Sequence, residues 1–256
     1  IKPGQTGFDS TLGYGGHTRA MLEQLQGKGH LHATDVDPIE SEKTQKRLLD
    51  AGYGDDILTI HHMNFAGIDK IAAESGPFDF ILADLGISSM QLDNPARGFS
   101  YKTDGPLDLR MNPQRGISAA KLLRKLSPEE LEGMLIENAD EPYAEEIART
   151  ISSDIKNGIS INTTKELYRE IEKALSYLPG NERRQSIKKS CARVFQALRI
   201  DVNAEMESLY AFLEKLPGAL APGGRVAILT FHSGEDRLGK KAFKQYGKEG
   251  LFSDAA

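Results

Sequence analysis

Residues 9–17 read Asp-Ser-Thr-Leu-Gly-Tyr-Gly-Gly-His and join a predicted strand, closed by Gly7-Phe8-Asp9, to a helix predicted over 17–25. Glycines in such a loop let a ligand approach the backbone closely, and the first turn of the helix leaves N–H groups unpaired. The segment therefore predicts a binding site where the strand turns into the helix. The candidate binding glycines are Gly13, Gly15 and Gly16.

A strand–helix alternation extends outward from this loop. Further strands are predicted over 31–35, 57–61 and 78–84, with a helix over about 40–51 after the first of them. Strands that alternate with helices of this length indicate a parallel sheet with helices on both faces. The first third of the chain therefore predicts an α/β domain.

The alternation stops in the middle of the chain. No convincing strand occurs from about 108 to 199, where amphipathic helical stretches dominate, and a turn at 221–224 then leads into a strand over 225–231. These patterns predict a doubly wound α/β domain interrupted by a helical insert. The predicted divisions are 1–107 and 200–256 for the discontinuous core and 108–199 for the insert.

Two helix starts in the insert have clear local signals. Ser127 precedes Pro128 and stands three residues before Glu130, which is the pattern of a capped N-terminus with proline in the first turn. Thr164, before Lys165, is predicted to begin a second helix.

Asp35 follows Gly15 by twenty residues, at the end of the second predicted strand. A carboxylate at that place can accept hydrogen bonds from ribose hydroxyls, so the pair predicts a nucleoside-containing cofactor. A dinucleotide fingerprint needs Gly or Ala where Thr18 stands, and the loop opens with the acid Asp9. S-adenosylmethionine therefore fits better than a pyrophosphate, with Asp9 facing its amino-acid end. The alternative is a tight turn with a solvated Asp35.

Composition narrows the function classes. The 256 residues include 39% hydrophobic and 27% charged residues with a net charge of −5, which is typical of a folded domain and argues against a surface coated in basic charge. No apolar run approaches the roughly 20 residues of a membrane helix, and no signal peptide is visible at Ile1. The single Cys191 excludes an internal disulfide and a Cys-based zinc cluster, so a reducing compartment is expected.

Five segments then carry a specific resemblance. They are residues 9–17, Asp84-Leu-Gly-Ile-Ser-Ser-Met-Gln-Leu-Asp93, Arg97-Gly-Phe-Ser-Tyr-Lys-Thr-Asp-Gly-Pro-Leu-Asp-Leu-Arg-Met111, Phe195-Gln-Ala-Leu-Arg-Ile-Asp-Val-Asn203 and Phe231-His-Ser-Gly-Glu-Asp-Arg237. In this order they resemble the RsmH (MraW) family, over about residues 7–244. The family consists of S-adenosylmethionine-dependent methyltransferases that act on cytosine N4 in small-subunit ribosomal RNA. The resemblance implies a class I, Rossmann-like methyltransferase sheet with an inserted all-helical subdomain.

The resemblance also implies site residues. Expected cofactor contacts are Gly15, Gly16, His17, Asp35, Phe65, Asp84 and Gln91. A Phe ring can stack on adenine, and an acid that ends a buried strand lies at the edge where such sheets bind ligands.

The acceptor chemistry leaves the proton acceptor open. Candidate catalytic residues are Asp104, Asp108 and His232, while the His61-His62 pair and Cys191 do not indicate a metal site. Asp108 paired with Arg110 or Arg97 as a structural ion pair is the favoured alternative to catalysis, and His232 could be a hydrogen-bonded support.

RNA contacts are expected on a basic stretch. Between Glu182 and Arg199 the candidate RNA-binding residues are Arg183, Arg184, Lys188, Lys189 and Arg193, which form either a phosphate-binding stripe or a solvated helix face. The target cytosine must be unpaired or flipped. Expected partners are the small ribosomal subunit and its rRNA, with no membrane; the oligomeric state is left open, a homodimer included.

Two further function classes stay open. One is a catalytically weak, cofactor-binding factor for ribosome assembly, because Gly234 and Gly239 stand where the family commonly has Leu and Val. The other is a methyltransferase for a small molecule or a protein. The expected compartment is the cytoplasm, or an organelle matrix or stroma after removal of a targeting segment.

Overall fold

The computed structural model describes residues 1–253, which divide into two compact units. The sheet unit contains residues 1–88 and 206–253, and the helical unit contains Ser89–Glu205. The strands are β1 Thr6–Asp9, β2 His30–Thr34, β3 Leu58–His61, β4 Phe78–Asp84 and β5 Leu220–Leu229. The helices are α1 Gly16–Leu25, α2 Pro38–Asp50, α3 Ile68–Ser75, α4 Ser89–Asp93, α5 Ala119–Leu123, α6 Pro128–Ala139, α7 Ala144–Lys156, α8 Thr164–Ala174, α9 Gly180–Val202, α10 Glu205–Ala219 and α11 Ser233–Lys248, with short 3₁₀ turns at Phe65–Gly67 and Pro95–Arg97.

The sheet unit has five parallel strands in the order β3-β2-β1-β4-β5. This is the doubly wound order, in which the direction of strand addition reverses between β1 and β4. One apolar cluster contains Phe8, Phe78 and Phe212, and a second contains Leu22 and Leu31. The predicted fold class is confirmed, and ligands in such folds bind at the carboxyl ends of the strands next to the reversal.

Strand β5 departs from the sequence prediction at its start. The residues predicted as a turn, 221–224, lie within the strand, and Gly223 has a φ of +76°. The partner of Phe78 is Leu220, whereas the partner of Phe80 is already Arg225. The residues predicted as a turn therefore form a bulge-like irregularity within β5, because five residues of β5 are opposite two residues of β4 and the strand continues beyond them.

Both helix starts predicted in the helical unit are confirmed: α6 begins after Ser127, and α8 begins at Thr164. The Ser127 hydroxyl accepts from the Glu130 N–H while the Glu130 carboxylate accepts from the Ser127 N–H, a complete capping box. The same exchange at α8 is made by Thr163 with Glu166, not by Thr164. Thr164 is the first helical residue, and its hydroxyl donates to the carbonyl of Thr103.

The helical unit is longer than the predicted insert of 108–199. Within it, the Leu107 N–H donates to the Asn162 carbonyl and the Leu109 N–H to the Arg97 carbonyl. Because these backbone bonds tie the segment before 108 to the helices, the compact unit begins at Ser89.

Cys191 lies in α9 with no exposed surface. Burial raises the pKa of its thiol to about 12, and the nearby charges of Glu141 and Glu172 act in the same direction. The thiol therefore stays protonated and shielded in the folded protein. Among residues 1–253, no helix has the length and apolarity needed to cross a membrane.

Candidate active site

The glycine loop follows β1 and ends at the first turn of α1. Gly13 and Gly15 have φ values of +47° and +85°, the left-handed region that favours glycine. Gly15 is the N-cap of α1, and no side chain caps this helix. A Cβ on Gly15 would lie 2.7 Å from the Thr44 methyl, whereas a Cβ on Gly16 meets no atom within 4 Å. Gly15 is thus required by the fold, and Gly16 borders open space.

Two side chains of α2 hold this loop, and neither was among the site residues predicted from the sequence. The Thr44 hydroxyl donates to the Gly13 carbonyl at 2.6 Å. The Arg47 guanidinium donates to the Tyr14 carbonyl at 3.2 Å and lies 4.1 Å from the centre of the Tyr14 ring. Thr44 and Arg47 are polar residues one turn apart on a helix, which is a common pattern and a weak sequence signal for a loop contact. Their role is visible only in the structure, where the loop packs against α2.

Asp35 lies just beyond β2 and is joined to the loop. Its Oδ2 accepts from the Gly13 N–H at 2.8 Å, and its Oδ1 accepts from the Asp37 N–H at 2.8 Å. Burial raises the pKa of Asp35, although these backbone N–H groups act to lower it. Each carboxylate oxygen keeps a further lone pair, so the group can hold the loop and still accept from a ligand's hydroxyls.

Asp9 lies beneath the loop and is fully buried. Its Oδ2 accepts from the Thr18 hydroxyl at 2.6 Å and its Oδ1 from the Thr11 N–H at 3.1 Å. Burial raises the pKa of Asp9 to about 6, in spite of these hydrogen bonds. The carboxylate thus ties β1 to α1, and its predicted role at the amino-acid end of a cofactor stays a prediction.

Asp84 ends β4 on the other side of the strand reversal. Its Oδ2 lies 3.2 Å from Nε2 of His17, and its backbone N–H donates to the Thr11 hydroxyl at 3.0 Å. Two buried atoms here have no hydrogen-bond partner, Oδ1 of Asp84 and Oγ of Ser10. Since buried polar atoms in folded proteins are nearly always paired, these two are the atoms that a bound polar ligand would satisfy. The residues present therefore fit a nucleoside cofactor at this edge.

The remaining predicted cofactor residues lie in different surroundings. Phe65 is half-buried in the 3₁₀ turn after β3, and its ring makes an edge contact with Phe212 at 5.2 Å between centroids. Gln91 is buried on α4, in the helical unit. Their contacts with a cofactor stay predictions.

In the helical unit, Asp108 is part of an ion pair. Its two oxygens accept from Nε and from a terminal nitrogen of Arg110 at 2.7 and 2.8 Å. Burial acts to raise the pKa of Asp108, but the hydrogen bonds and charge of Arg110 outweigh it and hold the pKa below its usual value. Asp104 is exposed and accepts from the Lys165 N–H at 3.2 Å.

The turn that carries this ion pair is strained. Leu109 has a φ of +62°, an outlier for a large side chain, and is buried. The Asn203 amide donates to the Leu109 carbonyl at 2.8 Å and accepts from the Met111 N–H at 2.7 Å. Arg97 donates to the carbonyls of Arg110 and Met111 at 3.0 and 2.7 Å. Side chains distant in sequence therefore hold the conformation.

His232 follows β5 in the sheet unit and is paired with an acid of α11. Its Nε2 lies 3.3 Å from Oε1 of Glu235, and only 7% of the imidazole is exposed. Neither ring nitrogen has a well-formed hydrogen bond. A Cβ on Gly234 would lie 3.1 Å from Nδ1 of His232, so glycine at 234 leaves room for the ring.

The predicted RNA-binding residues all lie on α9. Arg184, Lys188 and Lys189 are exposed. Arg183 uses Nε to donate to the Leu178 carbonyl at 2.9 Å, and Arg193 lies 4.0 Å from the buried carboxylate of Glu141. Three of the five cations thus point to solvent, and two have structural partners. Within residues 1–253, no group of three or more His, Cys, Asp or Glu side chains has the arrangement of a metal site.

A model of the MraW methylase family matches residues 1–253 of this chain. The chain belongs to the MraW methylase family. The resemblance seen in the five sequence segments is thereby confirmed, and the glycine loop with Asp35 and Asp84 is the candidate active-site edge of an MraW family member.

Three bacterial relatives are similar over nearly the whole chain. Ribosomal RNA small subunit methyltransferase H 1 of Agathobacter rectalis is 67% identical and is matched by 99% of this chain and 73% of its own length. Ribosomal RNA small subunit methyltransferase H 2 of Alkaliphilus metalliredigens is 63% identical, with 100% and 73% covered. Ribosomal RNA small subunit methyltransferase H 1 of Lachnoclostridium phytofermentans is 61% identical, with 100% and 70% covered. The sequence similarity thus extends over the residues of both the sheet unit and the helical unit.

Proposed function

We propose that this chain transfers a methyl group from S-adenosylmethionine to the exocyclic N4 of a decoding-centre cytidine in small-subunit ribosomal RNA. Support comes from the MraW family match and from the names of relatives up to 67% identical, which are ribosomal RNA small subunit methyltransferases. The choice of S-adenosylmethionine as the cofactor is supported chiefly by the two carboxylates, Asp35 and Asp84, at the carboxyl ends of β2 and β4.

Charge at this edge favours a sulfonium cofactor. Asp35 suits the ribose of any nucleoside cofactor, whereas the second carboxylate, Asp84, disfavours a pyrophosphate and suits a cofactor with positively charged groups. Bound there, S-adenosylmethionine supplies a methyl group on a cationic sulfur. Asp35 would accept from the ribose hydroxyls, His17 and Asp84 would contact the rest of the cofactor, and Phe65 would lie against the adenine.

The chemistry demands alignment above all. The lone pair of cytosine N4 is delocalised into the ring, so the nitrogen is a weak nucleophile, and productive transfer needs reacting atoms about 3–3.5 Å apart and in line. A proton must leave N4 during or after transfer. Desolvation acts to raise the pKa of Asp108 and of Asp104, but hydrogen bonds outweigh it and lower the pKa of both, from Arg110 to Asp108 and from Lys165 and Thr163 to Asp104. Because both carboxylates are thereby made weaker bases, we favour His232, beside Glu235, as the proton acceptor.

The substrate surface we propose is the exposed basic part of α9. Arg184 and Lys188 lie one turn apart, and Lys189 adds a third exposed cation. Such a surface binds phosphates independently of base sequence and weakens with salt. We place the reaction in the cytoplasm, on small subunits or their assembly intermediates.

Labelled methyl transfer tests the function directly. The protein is incubated with S-adenosylmethionine carrying a labelled methyl group and with small ribosomal subunits from cells that lack the enzyme. Nucleoside mass spectrometry is expected to find one N4-methylated cytidine, and small-molecule acceptors should stay unlabelled. Calorimetry measures cofactor binding in parallel. Cofactor binding without methyl transfer to any subunit preparation would support the alternative of a ribosome-assembly factor. Methyl transfer to small molecules would support the alternative of a small-molecule methyltransferase.

A further inference from the structure

Helix α11 has two chemically different faces. Leu238, Ala242 and Phe243 pack against the apolar cluster of the sheet unit that contains Phe212. The Tyr246 hydroxyl extends this contact by donating to the Leu213 carbonyl at 2.7 Å. This side of the helix therefore packs against the sheet unit.

The opposite face of α11 carries a row of cations. We call Arg237, Lys241, Lys244 and Lys248 the α11 stripe; all four residues are exposed. Their spacing of four, three and four residues places them within about 60° of one another around the helix and spreads them over about 16 Å along it.

The acids of α11 face away from Lys241, Lys244 and Lys248 of this row. Glu235 is buried beside His232, and Asp236 lies to one side, paired with Lys240 at 2.8 Å. The protein carries a net charge of −5, so the α11 stripe is a local reversal of its overall charge. A concentrated cationic row on an acidic protein orients the molecule toward a polyanion.

We propose that the α11 stripe binds the phosphate backbone of the ribosomal RNA, as a second contact surface in addition to α9. The inference rests on the proposed function for the identity of the polyanion. A membrane helix would need its apolar face for the lipid interface, but Leu238 and Phe243 are already packed into the core. A row of this length can follow several consecutive phosphates, whose contacts carry affinity without reading sequence.

The test reverses two central charges of the stripe. Lys241→Glu with Lys244→Glu is compared with Lys28→Glu and Lys46→Glu, which change the net charge equally at two other exposed lysines. Binding to isolated small ribosomal subunits is measured from low to moderate salt. The stripe variant is expected to bind about tenfold or more weakly, and its log–log salt slope should fall by about 1.4 to 1.8 because two phosphate contacts are lost.

Separate readouts distinguish the stripe from the function and from misfolding. The thermal midpoint and the calorimetric affinity for S-adenosylmethionine should match the wild type, and kcat at saturating subunits should be kept while KM rises. If the stripe variant binds subunits as tightly as the wild type, or if the control pair loses as much subunit affinity, the proposed role of the α11 stripe is wrong. The proposal is also wrong if the stripe variant loses affinity only for vesicles of phosphatidylglycerol and phosphatidylcholine. If the wild type transfers no methyl group to subunits, the proposed function fails, whatever the stripe variant does.

Discussion

The N–H of Gly13 donates to Oδ2 of Asp35 over 2.8 Å, so the carboxylate proposed to hold the ribose also holds the glycine loop. Cofactor recognition and loop geometry therefore depend on one group. Because the bond is charge-assisted and partly buried, it is stronger than a typical neutral hydrogen bond.

Asp35→Ala is expected to abolish measurable binding of S-adenosylmethionine, because both the ribose acceptor and the support of Gly13 are lost. Calorimetry should show a loss of at least about 100-fold, which corresponds to about 2.8 kcal/mol. Asp50→Ala, on the exposed side of α2, makes the same change in charge and should bind like the wild type. Unchanged affinity in Asp35→Ala would count against the ribose assignment.

Alanine at the two adjacent glycines should separate stability from binding. Gly15→Ala forces a positive φ on alanine and a 2.7 Å contact with Thr44, so it should lower the free energy of unfolding by about 1–3 kcal/mol. Gly16→Ala meets no protein atom and should keep the stability but weaken cofactor binding. Chemical denaturation and calorimetry measure the two effects; equal stability loss in both variants would contradict this reading of the loop.

Asp9→Asn should change how stability depends on pH. In the wild type the Asp9 pKa is raised from 3.8 to about 6, so the native state retains a proton that the unfolded chain has lost. The stabilisation from this proton is present at low pH and is lost as pH rises through about 6. Relative to wild type, Asp9→Asn should gain up to about 3 kcal/mol between pH 4 and 7. Denaturation midpoints across that range measure it; a constant difference would show that Asp9 does not titrate there.

Reversing two exposed charges of α9 tests the proposed RNA surface of the helical unit. Arg184→Glu with Lys188→Glu should weaken binding to small subunits and reduce its salt dependence, while cofactor affinity stays unchanged. Lys121→Glu with Lys125→Glu is the control, with the same spacing and charge change at exposed positions. Filter binding at several salt concentrations gives both quantities. Equal affinity in the α9 variant would remove this surface from the proposal.

Asn203→Ala should destabilise the helical unit. It leaves the Leu109 carbonyl and the Met111 N–H without their partner in a turn where Leu109 already has a positive φ. The expected cost is about 2–4 kcal/mol in the free energy of unfolding. Asn112→Ala removes only a local bond to the Gln114 N–H and should cost less than about 1 kcal/mol. Similar costs for both variants would argue against the proposed support of the turn.

Local signals explain which features the sequence predicted well. The capping box at Ser127 and the glycine loop after β1 depend on residues within a few positions of each other. Strand β4 was predicted at its bounds because a mostly apolar run marks a buried parallel strand, and β2 was predicted to within one residue at each end. The order of these elements also fixed the fold class.

Long-range contacts explain what the sequence did not predict. Thr44 supports Gly13 across 31 residues, and Asn203 supports Leu109 across 94. Neither pairing leaves a periodic signal in the chain. The Thr164 hydroxyl at the start of α8 likewise donates to the carbonyl of Thr103, 61 residues earlier. Such assignments need the packed structure.

Because Cys191 is buried and is the only cysteine of the chain, its reactivity reports local opening of the helical unit. A thiol reagent can modify the side chain only after α9 has loosened, so the rate of labelling reports how often that happens. Slower labelling in the presence of the cofactor would show that cofactor binding reduces the opening of α9. The labelling rate of the wild-type protein, with and without cofactor, thus measures whether cofactor binding changes the opening of α9.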